Sequence, residues 1–132
     1  MLQERTDPAG GFDPDELGST ALTAFFNITQ RWGLSAEEER TLLGAPPRST
    51  FFKWKSERAS RLSGDTLERI SYVMGIYKAL RILLPTAEAA QAWIKKPNTA
   101  SGFGGKSALE RMLAGRVLDL ADVRRYLDAE RG

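Results

Sequence analysis

The stretch Ala100-Ser-Gly-Phe-Gly-Gly-Lys-Ser107 has two incompatible readings, and each implies a different fold. With Ala100 in place of the first glycine it has the spacing of a phosphate-binding loop: a small residue, four positions, then Gly-Lys-Ser. In such a loop the glycines let backbone N–H groups close around phosphates, the lysine reaches the terminal phosphates and the serine holds magnesium. That chemistry needs a β-strand leading into the loop and a parallel sheet behind it. Before Ala100 stands instead a polar break, Lys95-Lys-Pro-Asn-Thr99, itself preceded by a helical pattern. Only 25 of the 132 residues follow Ser107, fewer than the roughly 30 that one βαβ unit takes. Ser107 also has a better use, because Ser107-Ala-Leu-Glu110 has the reciprocal spacing of a capping box. The stretch therefore reads as a glycine-rich connector where backbone approaches something closely, with anion binding by Lys106 and helix-start N–H groups as a lesser option.

Outward from this loop the pattern is helical throughout. Downstream, Leu109, Met112 and Leu113 form one short helix ending at Gly115, and a last helix starts near Asp119 with Leu120, Val123, Tyr126 and Leu127. Upstream, Thr86 caps a helix through Trp93 and Ile94, which Lys96-Pro-Asn98 breaks. The longest helix spans roughly 65–84, opened by Asp65-Thr-Leu-Glu68 as a capping box and stopped by Pro85. Leu67, Ile70, Val73, Met74, Tyr77, Leu80 and Leu84 give it one broad apolar stripe. Such a stripe points to a homodimer. Nearer the N-terminus, Leu22, Phe25, Phe26 and Trp32 mark a helix from Ser19, closed by Gly33. Residues 1–18, with two prolines and three glycines among acidic residues, read as a flexible acidic leader. No segment alternates with period 2 over strand length, so the fold class is all-α with about seven helices.

Composition narrows the chemistry. Apolar residues make up 42%, ordinary for a globular chain. No apolar run approaches a membrane span and no secretory signal opens the chain. Absent His and Cys exclude thiol catalysis, disulfides, zinc clusters and imidazole acid–base work. No cofactor, metal or enzymatic activity is expected, and a cytoplasmic setting suits the lack of cysteine. The net charge of +2 hides an asymmetry: residues 1–20 carry −4 and the remainder +6. Residues 48–61 hold Arg48, Lys53, Lys55, Arg58 and Arg61 against Glu57 alone, a local +4.

That cationic run falls on a helical pair. Ser35-Ala-Glu-Glu38 is a capping box starting a short helix with Leu42 and Leu43, Gly44 ends it, and Ala45-Pro-Pro-Arg48 cannot continue it. Ser49 then caps a second short helix, Thr50 to about Ser56. The size and punctuation are those of a helix-turn-helix, whose second helix enters the major groove. The DNA-binding residues expected are Arg48, Ser49, Thr50, Lys53 and Lys55, with Phe51 and Trp54 turned inward as core anchors. Five phosphate contacts would give a logarithmic salt slope of roughly −4.5.

The second half carries a further signature. Tyr72-Val-Met-Gly-Ile-Tyr-Lys-Ala-Leu80, Trp93, Lys96-Pro-Asn98, Phe103-Gly-Gly-Lys-Ser107, Leu109-Glu110, Leu113, Gly115 and Val123-Arg-Arg-Tyr-Leu-Asp128 occur in that order. As a set they resemble the Xre/MbcA/ParS antitoxin family, over about residues 20–130. The family usually has Arg where this chain has Lys106 and Pro where it has Ala108. The resemblance implies an antitoxin of a type II toxin–antitoxin operon, paired with a RES-domain toxin that consumes NAD. It implies a helix-turn-helix domain at 19–84 with a long dimerisation helix, and a small helical toxin-binding domain at 85–132. Toxin contacts would come from Trp93, Asn98, Phe103, Gly104, Gly105, Lys106, Arg124 and Arg125. Phe103, beside three glycines, is the interface aromatic, and Trp93 is more at home in the core. Operator DNA would be the second partner. The alternative is a plain helix-turn-helix transcription regulator whose C-terminal helices only dimerise.

Overall fold

The computed structural model describes residues 13–132. Among these, seven helices and no strand are found: α1 Pro14–Arg31, α2 Ala36–Leu42, α3 Arg48–Glu57, α4 Gly64–Leu83, α5 Ala87–Lys95, α6 Ala108–Met112 and α7 Val117–Arg131. A lone antiparallel bridge joins Pro97 to Ser107. No helix among the described residues is long and apolar enough to cross a membrane.

The helix starts follow local chemistry, with four corrections. Ser35 and Ser107 form reciprocal capping boxes with Glu38 and Glu110, and the Thr86 hydroxyl accepts from the Ala89 N–H. α1, by contrast, begins at Pro14 rather than Ser19: Asp13 accepts the Asp15 N–H, Pro14 opens the first turn, and Asp15 and Glu16 favour the positive end of the helix dipole. Of the expected leader, residues 1–12 lie outside the described residues, and 14–18 are helical. Gly18 is not a turn glycine. It is buried within α1, and a Cβ there would stand 1.8 Å from the Ser60 carbonyl oxygen. At α3 the N-cap is Pro47 and no side chain caps the helix, so Ser49 sits inside the first turn. At α4 the cap is Ser63, whose hydroxyl accepts from the Thr66 N–H 3.2 Å away; Asp65 merely lies in the first turn. The serine two positions upstream takes the role because its extended backbone aims Oγ at the free N–H groups. The last helix likewise opens at Val117, two residues before Asp119.

α4 is the central element. It packs most extensively on α7 and next on α1, while α6 bridges α5 and α7. One apolar cluster runs through both halves, from Phe25, Phe26, Trp32 and Phe51 to Ile94, Met112, Leu120 and Leu127. Each such side chain contributes about 1.5–3 kcal/mol by leaving water. The buried face of α4 is Ile70, Val73, Ile76, Ala79 and Leu80, whereas Met74 is exposed. Ile70, Val73 and Leu80 of the broad stripe read as a dimer surface are thus covered within one chain. Residue 84 ends the helix but not the core.

Candidate functional site

Two surface regions take shape on this scaffold. In the first, α2 and α3 are joined by residues 43–47, where Gly44 (φ 94°) and Ala45 (φ 55°) reverse the chain in left-handed backbone. Phe51 is the anchor of α3. It is fully buried edge-to-face against Phe26, ring centroids 5.9 Å apart, and Trp54 packs half-buried beside it. Both turn inward as expected from the sequence. The opposite face of α3 carries Ser49, Phe52, Lys53 and Ser56, all exposed, with Thr50 half-buried at its edge. These occupy positions i, i+3, i+4 and i+7, one stripe of a helix.

The cations divide between the two faces. Lys53 is exposed and has no ion-pair partner among the described residues. Arg48 is exposed but donates to Glu37 of α2, 3.1 Å away, and this bond is the main reason the Glu37 carboxyl titrates below its ordinary range, with Arg40 second. Lys55, expected among the DNA-binding residues, does not lie on this outward stripe. Its ammonium donates to Glu39 at 2.6 Å, and Glu39 is only 1% exposed. Thr29 of α1 donates to the other carboxylate oxygen at 2.5 Å. Lys55 also lies 5.8 Å from the Phe26 ring centroid, and Arg58 4.9 Å from it on the same ring. This buried Thr29–Glu39–Lys55 bridge ties α1, α2 and α3 together, and sequence reading missed it. Its partners are 10 and 16 residues apart, and no helical spacing announces them. With Glu37, Glu39 and Asp15 (3.7 Å from Arg61) brought in by the fold, much of the local +4 is balanced.

The second region is the loop 98–107. Its neck is closed by Asn98, whose side chain accepts the Ala100 N–H at 2.8 Å and whose backbone exchanges bonds with Lys106 and Gly105 at 3.1 Å. Asn98 is thus a positioning residue. Gly102, Gly104 and Gly105 all have positive φ (95°, 60° and 84°), with open space where a Cβ would stand. Gly104, Gly105 and Lys106 face solvent. Phe103 does not: it is 5% exposed, an underside anchor rather than an interface ring. It meets Tyr126 of α7 edge-on at 5.0 Å and Trp93 of α5 at 6.4 Å, while Trp93 stacks on Tyr126 with 15° between planes. Phe103 is thus the more buried of the two aromatics, while Trp93 is partly exposed and still packs against the core. A ring among glycines has no cover of its own, and α5 and α7 supply it.

Arg111 fastens the loop to α7. It donates to the Gly102 carbonyl, to Asp122 and, at 3.1 Å, to Asp119. Asp119 is fully buried and also accepts from Arg116, side chain and backbone. Arg116 foremost, opposed by burial and aided by Arg111, lowers the Asp119 pKa to about 2. Arg125 is exposed, bonds Asp122 at 2.8 Å and borders a pocket of about 420 Å³ between Gly102, Phe103 and Tyr126. Arg124 points elsewhere. Its guanidinium fills the space over Gly75 of α4, where a Cβ would stand 2.4 Å from it, and it pairs with Asp128 at 3.4 Å. It lines a groove with Asn27 and Met74, away from the glycine loop, so the expected partner set splits across α7.

Anion binding at the loop is not supported by this geometry. The Ser107 N–H donates to Glu110 Oε1 and the Glu110 N–H to Ser107 Oγ, so the start of α6 is already occupied by an acidic cap.

A helix pair with an outward polar and cationic stripe, followed by a helical module presenting a tethered loop, defines a helix-turn-helix protein with a second, partner-type domain. Residues 10–75 match the antitoxin Xre-like helix-turn-helix domain, and residues 79–132 match the antitoxin Xre/MbcA/ParS C-terminal toxin-binding domain. The chain is also 49% identical over 130 residues to the uncharacterized protein y4oB of Sinorhizobium fredii (strain NBRC 101917 / NGR234), covering 96% of this chain and 98% of that one. The chain belongs to the Xre/MbcA/ParS antitoxin family. The family's proline position, Ala108 here, is the first residue of α6, where proline is readily accommodated because no N–H is needed.

Proposed function

We propose that this antitoxin neutralises a RES-domain, NAD-consuming toxin by stoichiometric binding and represses its own operon through α3. The observation that carries the reading is the coupling of a toxin-binding domain to a loop whose backbone is laid bare. Gly104, Gly105 and Lys106 are exposed while Phe103, Asn98 and Arg111 hold the loop from beneath. Close backbone contact with a partner suits glycine, and a tethered loop loses little entropy on docking. Inhibition by occlusion requires no catalytic group here. Toxin contacts are assigned to Gly104, Gly105, Lys106 and Arg125, with Trp93 at the margin, and DNA contacts to Arg48, Ser49, Thr50 and Lys53. A cytoplasmic setting belongs to the same reading.

A homodimer belongs to the same reading. Met74, Ile82 and Leu83 are the large apolar side chains that α4 leaves outside the core. Pairing them about a two-fold axis would match a palindromic operator.

Co-expression with the adjacent open reading frame tests the toxin reading. The wild-type chain should restore growth and co-purify with the product, and Gly105→Val should lose both while still binding promoter DNA. Full rescue by Gly104→Val, Gly105→Val and Lys106→Glu alike would exclude the loop. An adjacent product without toxicity, or without effect on NAD, would refute the RES assignment.

A further inference from the structure

We infer that Phe52 is a specificity-determining residue of the DNA face, reading the C5 methyl group of a thymine in the major groove. The inference rests on the proposed DNA binding by α3 and says which chemistry that helix reads. Phe52 is 51% exposed, although its neighbour Phe51 is sealed in the core. On the outward stripe it stands between Ser49 and Ser56, next to Lys53, and is the single apolar side chain among them. A large ring in water at the middle of a polar, cationic face has no use in the packing of this chain.

Its orientation is fixed by contact. The Phe51 ring meets it edge-to-face, centroids 5.0 Å apart and planes 73° apart, and Phe51 is itself clamped against Phe26. The ring is therefore presented rather than free to fold back. Among the groups on base edges in the major groove, the thymine methyl is the apolar one, and phenylalanine is one of the side chains that contact it. The neighbouring Ser49 and Lys53 suit phosphates or guanine edges. The stripe thus combines polar positioning with one apolar reader.

The test uses the full-length chain and the DNA immediately upstream of its own gene. Each thymine is replaced in turn by deoxyuridine, which removes the methyl group and leaves the Watson–Crick edge intact. Affinity is measured by fluorescence anisotropy for wild type, Phe52→Ala and Phe52→Leu. Wild type should lose about fourfold at one thymine per half-site, the value of one methyl group leaving water. Phe52→Ala should bind the natural DNA more weakly and show no loss at that position. Phe52→Leu should keep part of the methyl response, and the salt slope should be the same in all three because no charge changes. Equal methyl sensitivity in wild type and Phe52→Ala would overturn the assignment while leaving DNA binding intact. Absence of salt-dependent binding in all three would overturn the DNA-binding reading, and the assignment with it.

Discussion

In the helix-turn-helix unit a cation, Lys55, turns inward and an aromatic ring, Phe52, stays in water; in the glycine loop the reverse holds, with Phe103 inside and Lys106 outside. From the sequence, Lys55 is expected on the DNA surface and Phe103 on the toxin surface. The difference comes from what lies beneath each. Under α3 there is a buried carboxyl group, Glu39, which takes its hydrogen bonds from Thr29 and the Lys55 ammonium. Under the loop there is an aromatic and apolar floor, Trp93 and Tyr126, which receives a ring and offers a lysine nothing. A residue's role at a surface is set by the element below it as much as by its own chemistry.

The largest expected effect strikes the carboxylate under α3. Lys55→Ala leaves the buried Glu39 carboxylate without its cation and should cost about 3–5 kcal/mol of stability, read by urea unfolding. A loss below 1 kcal/mol would mean that Lys55 is free for DNA after all. Phe103→Ala, the matching change under the loop, should cost about 3 kcal/mol and abolish toxin co-purification. Lost toxin binding at full stability would return Phe103 to the interface.

The loop's tether to α7 is pH-sensitive. With a folded pKa of about 2 against an ordinary 3.8, Asp119 contributes roughly 2.5 kcal/mol above pH 4. Because the folded value is the lower one, this contribution disappears as pH falls from about 4 to 2. Stability of Asp119→Asn should be flatter than wild type in that window; parallel curves would refute the assignment. Gly104→Ala, at φ 60° with open space around it, should cost about 1 kcal/mol through backbone strain alone. The smallest effect separates the two lysines of α3. Lys53→Gln should reduce the DNA salt slope by about 0.9, and Lys55→Gln should leave it unchanged. Equal changes would restore Lys55 to the DNA face.

Much was legible locally. The capping boxes at Ser35 and Ser107, the stop at Pro85 and the Gly44 turn are interactions within a few residues, and they place α2, α6, the end of α4 and the turn into α3 without tertiary information. The inward turn of Phe51 followed from helical spacing. The loop's lack of a strand was enough to reject nucleotide chemistry. Less legible were the start of α1 and the cap of α4, where neighbouring polar residues competed for the same role.

By itself, the sequence determined the helical class, the helix-turn-helix punctuation and the glycine loop, because capping, proline and periodicity act over three or four residues. Tertiary structure alone decided which charges are free and which apolar faces are covered. Glu39 meets Lys55 across 16 residues and Arg69 of α4 reaches the Gly115 carbonyl across 46. Coulomb attraction and burial act through space, so no spacing along the chain could show that α7 packs on α4.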